Sequence, residues 1–168
     1  MRIFTDQVAL PCFLDFEASG FGDNSYPIEV AWSLPTGHIE CHLIRPTADW
    51  VRTGSWNLGS ARVHGIPFDS LDAGREPGWL CQQMNAQLAG KTVFCDGLPY
   101  DQFWLERLFD SMNTAPSFSL ESLQAYCFDL GLGDRQYEIL SEQARKRVGA
   151  AHRAEVDVRY LIELYRMA

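Results

Sequence analysis

Asp15 and Glu17 interrupt an apolar run, FLDFEASG at residues 13–20. Successive side chains of a β-strand point to opposite faces, so these two acids share one face while Leu14 and Phe16 take the other. Like charges one pleat apart repel, and burial adds to the cost, so the pair is stable inside a fold only with positive charge between them. A second arrangement also satisfies the residues: the strand ends near Phe16 and both acids face water. Two more acids sit where apolar residues are expected. In YDQFWLERLFDSM, Trp104, Leu105 and Leu108 form a helical stripe, and stepping back three and four positions lands on Asp101. In RAEVDVRYLIELYRM the stripe is Tyr160, Leu161 and Leu164, and the same step lands on Asp157. An acid heading such a stripe points toward the core, where it needs a cation, hydrogen-bond donors or a raised pKa. Taken singly, either Asp also suits the first turn of a helix, where the macrodipole favours it. Together, four inward acids from three elements, with too few bases nearby to pair them, match a hard divalent cation site, since Mg²⁺ and Mn²⁺ take oxygen ligands.

His152 stands five residues before Asp157. On one continuous helix the two would lie about 140° apart and could not face one site. Placed instead in a loop or first turn after Gly149, His152 can swing over the mouth of the acid cluster, and imidazole is a suitable general base for water. The other three histidines, His38, His42 and His64, read as structural or exposed. Around His152 the stretch ARKRVGAAHR carries Arg145, Lys146, Arg147 and Arg153 with no acid among them. It reads either as a solvated helix face or as a phosphate contact.

The elements that must position these groups follow from periodicity. VALPCFLDFE, IEVAWSL and HIECHLIRP read as strands, with LPTGH as the turn between the last two, giving a meander of three antiparallel strands. Residues 49–78 look irregular, with one short helix around Leu58 to Val63. EPGWLCQQMNAQLAG is helical and stops at Gly90. KTVFCDG is a short buried strand and YDQFWLERLFDSM a helix. PSFSLESLQAYCFDLGLG gives a strand and a helix, YEILSEQARKRVG a helix, and RAEVDVRYLIELYRM the last one. Antiparallel strands followed by alternating strands and helices predict an α/β fold with a mixed sheet covered by helices.

Composition sets the outer limits. The 168 residues are 46% hydrophobic and 21% charged, with a net charge of −8. That suits one domain, residues 1–168, and argues against a broad basic surface coating nucleic acid, though a site gripping only a strand end remains open. The five cysteines are scattered and form no CxxC pair, so they read as small core residues. The N-terminal MRIFTDQVALPCFLDF shows no cleavage-site pattern, and nowhere do 18 apolar residues follow one another, so no membrane association and a cytoplasmic location are expected.

The ordered motifs resemble the DEDD superfamily of 3′ to 5′ exonucleases, in its histidine-containing DEDDh subclass, which includes ribonuclease T, oligoribonuclease and the proofreading subunit of the bacterial replicative polymerase. DFEASG resembles the first motif, CDGLPYDQFWL the second, with Asp101 as its ligand, and AHRAEVDVRYL the third, a His followed five positions on by an Asp. PIEVAW is similar to the family's second strand, and VHGI, containing His64, to the segment that approaches the terminal nucleotide. The set covers residue 10 to the end. One departure is Asp96, where many relatives carry Asn; it can bind metal, hold a water or cap the next turn.

The resemblance implies a ribonuclease H-like fold with a five-stranded mixed sheet. It also implies hydrolysis at the 3′ end of single-stranded RNA or DNA with two divalent cations, Mg²⁺ or Mn²⁺, about 4 Å apart. Asp15, Glu17, Asp101 and Asp157 would hold the ions and His152 would take the proton of the attacking water. Arg145, Lys146, Arg147 and Arg153 would meet the strand's backbone, and Phe21 or Phe16 would stack on a base. Two rivals stand beside this: a phosphodiesterase acting on dinucleotides or other short substrates, and a nucleic-acid-binding module without catalysis. No motif reports contact to a 2′-hydroxyl, so RNA and DNA are not distinguished. The oligomeric state is open, a homodimer included.

Overall fold

The structure is a computed structural model that describes residues 9–168. β1 (Cys12–Ala18), β2 (Pro27–Ser33) and β3 (Ile39–Leu43) form the expected antiparallel meander. The turn between β2 and β3 closes through Leu34 N–H to the His38 carbonyl at 2.8 Å, and Gly37 supplies the φ of 83° that the turn requires. β4 (Thr92–Cys95) then pairs parallel with β1, and β5 (Ser119–Ser122) parallel with β4. The sheet order is β3-β2-β1-β4-β5. The first strand was expected to start at Val8, which lies outside the described residues.

The region from Asp49 to Gly78 is more regular than its composition suggests. It holds α1 (Ala48–Thr53), α2 (Leu58–His64) and a 3₁₀ helix (Phe68–Ala73). α1 and the 3₁₀ helix bury one side chain each, Trp50 and Leu71, so neither shows an apolar period. α3 (Pro77–Leu88), α4 (Leu98–Asp110), α5 (Leu123–Asp129), α6 (Asp134–Val148) and α7 (Ala154–Met167) fall where their periods place them.

Two cores flank the sheet. Leu14 and Phe16 of β1 and Ile28, Val30 and Trp32 of β2 pack with Leu80, Met84 and Leu88 of α3 and Leu105 and Leu108 of α4. Phe13, Ala31 and Phe94 face the other way, against α5, α6 and α7. β1 runs to Ala18, so Asp15 and Glu17 do lie within a strand, on the face that looks toward α7. All five cysteines are free thiols, and all but Cys41 are buried. No helix among the described residues is long and apolar enough to cross a membrane.

Candidate metal centre and active site

β1 outruns its neighbour. It pairs with β4 only at Cys12 with Val93 and at Phe13 with Phe94, and β4 ends at Cys95. The second half of β1 therefore has an open flank above the carboxyl end of β4, the kind of crevice in which open α/β sheets bind ligands. The chain turns there through Gly97 into α4, whose first turn carries Asp101. Asp101 is 3% exposed, and its Oδ1 accepts the N–H of Phe16 at 3.3 Å. The acid predicted to head the buried stripe thus reaches across to β1.

The opposite wall is α7. β2 is buried at all seven positions, yet it carries Glu29, 1% exposed. A buried carboxylate needs partners. Glu29 accepts from Arg153 Nε at 2.9 Å, from a second guanidinium nitrogen, and from the Ala154 N–H at 3.0 Å. These bonds fasten the start of α7 to the sheet, which sets Asp157, one turn on, opposite β1. Glu29 also stands directly across from Glu17 in the β1–β2 register, so the charge of Arg153, bound to Glu29, also acts on Glu17.

One oxygen each from Asp15, Glu17 and Asp157 lie within 4.8 Å of one another. Burial, then the neighbouring acids Asp101, Asp157 and Glu17, push the Asp15 carboxyl well above its ordinary range. Burial and then the charges of Asp157 and Glu29 raise Glu17 to about 8. Burial raises Asp101 to about 7, opposed by the hydrogen bonds it accepts from Phe16, Cys95 and Gly97. Carboxylates so crowded hold protons until a cation replaces them. An all-oxygen donor set of this spacing and charge fits a hard divalent ion and suits soft metals poorly.

These acids line a cavity of about 300 Å³ that also receives Asp96, Arg145 and His152. His152 lies in the loop after α6 and is exposed, as its proposed freedom requires. Asp96 lines the cavity wall and does not cap α4, whose N-cap is Gly97. Of the four bases in ARKRVGAAHR, only Arg145 enters the cavity. Its Nη1 donates to Asp157 Oδ1 at 2.6 Å, and its guanidinium lies 3.8 Å from the centre of the Tyr160 ring. Lys146 points to Glu142 and Arg147 to Glu163, while Arg153 is taken by Glu29. The four bases thus meet different partners, because the two helices the stretch spans turn its members to different sides, and Lys146 and Arg147 lie on a solvated helix face, one of the two readings the stretch allowed.

Aromatic and α2 residues close the cavity. Phe21, 69% exposed, packs edge-on to Tyr100, which stacks on Trp104. Phe16, by contrast, belongs to the core beneath. Trp104 was expected only as part of the buried stripe and Tyr100 not at all, although their position beside Asp101 on one helix was the available signal for a place in the cavity. His64 is buried in the cavity wall and accepts the Ile66 N–H at Nδ1, 3.0 Å away. Its Nε2 has no partner among the described residues, and burial lowers its pKa.

No family model matches the sequence. No curated protein matches it either. Solved structures do. The chain superposes on E. coli exonuclease I in complex with a 5cy-dA13 oligonucleotide with a TM-score of 0.67 and 16% identity, over 94% of this chain and 40% of that one. A 3′-exonuclease from a structure of 3′-end specific recognition of histone mRNA stem-loop gives 0.62 and 15%, over 93% and 61%. S. pombe Pop2p in its Mg²⁺- and Mn²⁺-bound form gives 0.61 and 12%, over 94% and 81%. The chain thus spans about two-fifths of the length of exonuclease I. At these identities the likeness carries the fold, and the fold is ribonuclease H-like, with a five-stranded mixed sheet flanked by helices.

Proposed function

We propose that this chain is a metal-dependent 3′ to 5′ exonuclease of the DEDDh type that removes nucleoside monophosphates from the 3′ end of single-stranded nucleic acid. The observation that carries this is the convergence of Asp15, Glu17 and Asp157 within 4.8 Å, in a cavity that Asp101 and His152 also line. Asp15, Glu17, Asp101 and Asp157 would hold Mg²⁺ or Mn²⁺. When bound, two such ions supply positive charge for the phosphodiester oxygens and activate water. His152 takes that water's proton on a ring nitrogen, from a loop position that gives it room to move. Phe21 and Tyr100 present ring surface at the cavity mouth for the terminal bases, a contact indifferent to sequence. Arg145, fixed between Asp157 and Tyr160, offsets one of the five acids around the cavity. That leaves a formal charge of −4, which two divalent ions cancel.

Matched single strands of RNA and DNA, blocked at either the 5′ or the 3′ end and incubated with Mn²⁺, test the reading. Release of mononucleotides only from strands with a free 3′ end is expected, with Asp15→Ala lowering the rate at least about a thousandfold. Hydrolysis that persists in Asp15→Ala, or that starts at the 5′ end, contradicts it.

A further inference from the structure

α2 separates two cavities. Ser60, Val63 and His64 repeat at i, i+3, i+4 and face the metal centre, whereas Leu58, Ala61, Arg62 and Gly65 repeat on the opposite side and line a second cavity of about 320 Å³. Trp56, Ile66 and Phe68 form the rest of its wall. Its volume is at the lower end of the range for ligand pockets. Its surface is apolar and open to water: Leu58 is 69% exposed and Phe68 40%. Trp56 meets both Phe68 and His64 edge-on, so one ring touches the walls of both cavities. Arg62 is exposed and has no carboxylate partner among the described residues. α2 itself is fixed: Asn57 caps it by accepting the Ser60 N–H and donates its own N–H to the Ser19 carbonyl at the end of the first motif.

We propose that this second cavity is a nucleobase subsite for the same strand whose 3′ end enters the metal centre, a reading that rests on the exonuclease function above. Aromatic and apolar surface beside an unpaired arginine is what holds a base and its phosphate without regard to sequence. The positive charge of Arg62, in a chain of net charge −8, suits an anionic occupant, and the α2 wall shared with the metal centre makes that occupant the same strand. A helix is about 10–12 Å across. At about 3.4 Å of rise per stacked nucleotide, the strand spans that width in roughly three nucleotides. The base held there is thus about three positions from the end, and dinucleotides cannot reach it.

The test is fluorescence anisotropy of labelled dinucleotide and hexanucleotide with the full chain, and the KM of each for Mn²⁺-dependent release. The wild type should hold the hexanucleotide about tenfold more tightly than the dinucleotide. Arg62→Glu with Leu58→Ser should bring that ratio below about threefold. Val51→Ser, an exposed apolar residue on α1, should keep the wild-type ratio. A ratio unchanged in the double variant, or an equal loss for both lengths, overturns the subsite. If the double variant does not fold, Arg62→Glu alone decides, since its side chain makes no ion pair among the described residues. Absence of hydrolysis at every length would refute the exonuclease reading, and the anisotropy ratios would still decide the subsite.

Discussion

Asp157 joins an ion pair to a place in the acid cluster. One oxygen accepts from Arg145, and an oxygen of the carboxylate lies within 4.8 Å of oxygens of Asp15 and Glu17, which repel it. His152 has neither kind of tie: it is exposed, belongs to no helix and approaches the acids only from the loop. Its removal should therefore affect proton transfer and leave the acids in place. We expect His152→Ala to lower kcat by about 10²–10⁴-fold and to change the shape of the pH–rate profile, while Mn²⁺ binding measured by calorimetry stays within about twofold of wild type. A loss of Mn²⁺ binding in parallel with rate would mean that His152 is a ligand. His64 differs again: its ring is locked by the Ile66 N–H, so it is a fixed donor at Nε2 and a poor proton shuttle.

At the scale of elements, the acids were legible and their attachment was not. Alternation on β1 and the stripes of α4 and α7 placed Asp15, Glu17, Asp101 and Asp157 on inward faces, because a charge in an apolar period stands out in a single sequence. Glu29 gave no such signal, since its importance depends on β2 being covered on both faces and on an Arg 124 residues away. For the same reason Arg153 was grouped with Arg145, although its guanidinium binds Glu29, and Arg147 was grouped with them although it pairs with Glu163. α1 was missed because a six-residue helix with one buried side chain has no period to detect. Arg153 then acts chiefly by fastening α7 to the sheet. Arg153→Ala leaves Glu29 buried with one N–H partner, and should cost about 3 kcal/mol in urea unfolding, toward the lower end for a broken buried pair because Arg153 keeps part of its surface in water. The KM for a 3′-end substrate should change less than the stability does. A large KM effect at unchanged stability would return Arg153 to the strand-binding surface.

For the whole molecule, the crowded carboxylates link stability to pH and to divalent ions. Glu17 in the fold titrates at about 8 and Asp101 at about 7, against 4.5 and 3.8 for the free side chains, and Asp15 is shifted the same way. The folded chain therefore binds more protons than the unfolded one across that window. The contribution of these acids to stability must then fall as pH rises from about 4.5 toward 8, the reverse of what salt-bridged acids produce, and three such acids outweigh the opposite contribution of the buried His64. Divalent ions compete with those protons and bind only the folded arrangement, so their contribution, RT ln(1 + [ion]/Kd), grows as the acids ionise. Thermal melts in EDTA should show Tm declining between pH 5.5 and 8.5, and melts in millimolar Mn²⁺ should show a gain over EDTA that is small at pH 5.5 and widens to pH 8.5. Asp15→Asn removes one of the repelling charges, so it should flatten the EDTA curve and abolish most of the Mn²⁺ gain together. A gain that does not vary with pH, or an EDTA curve that climbs through this range, would show that the acids do not repel one another in the fold and that no cation is needed to hold them.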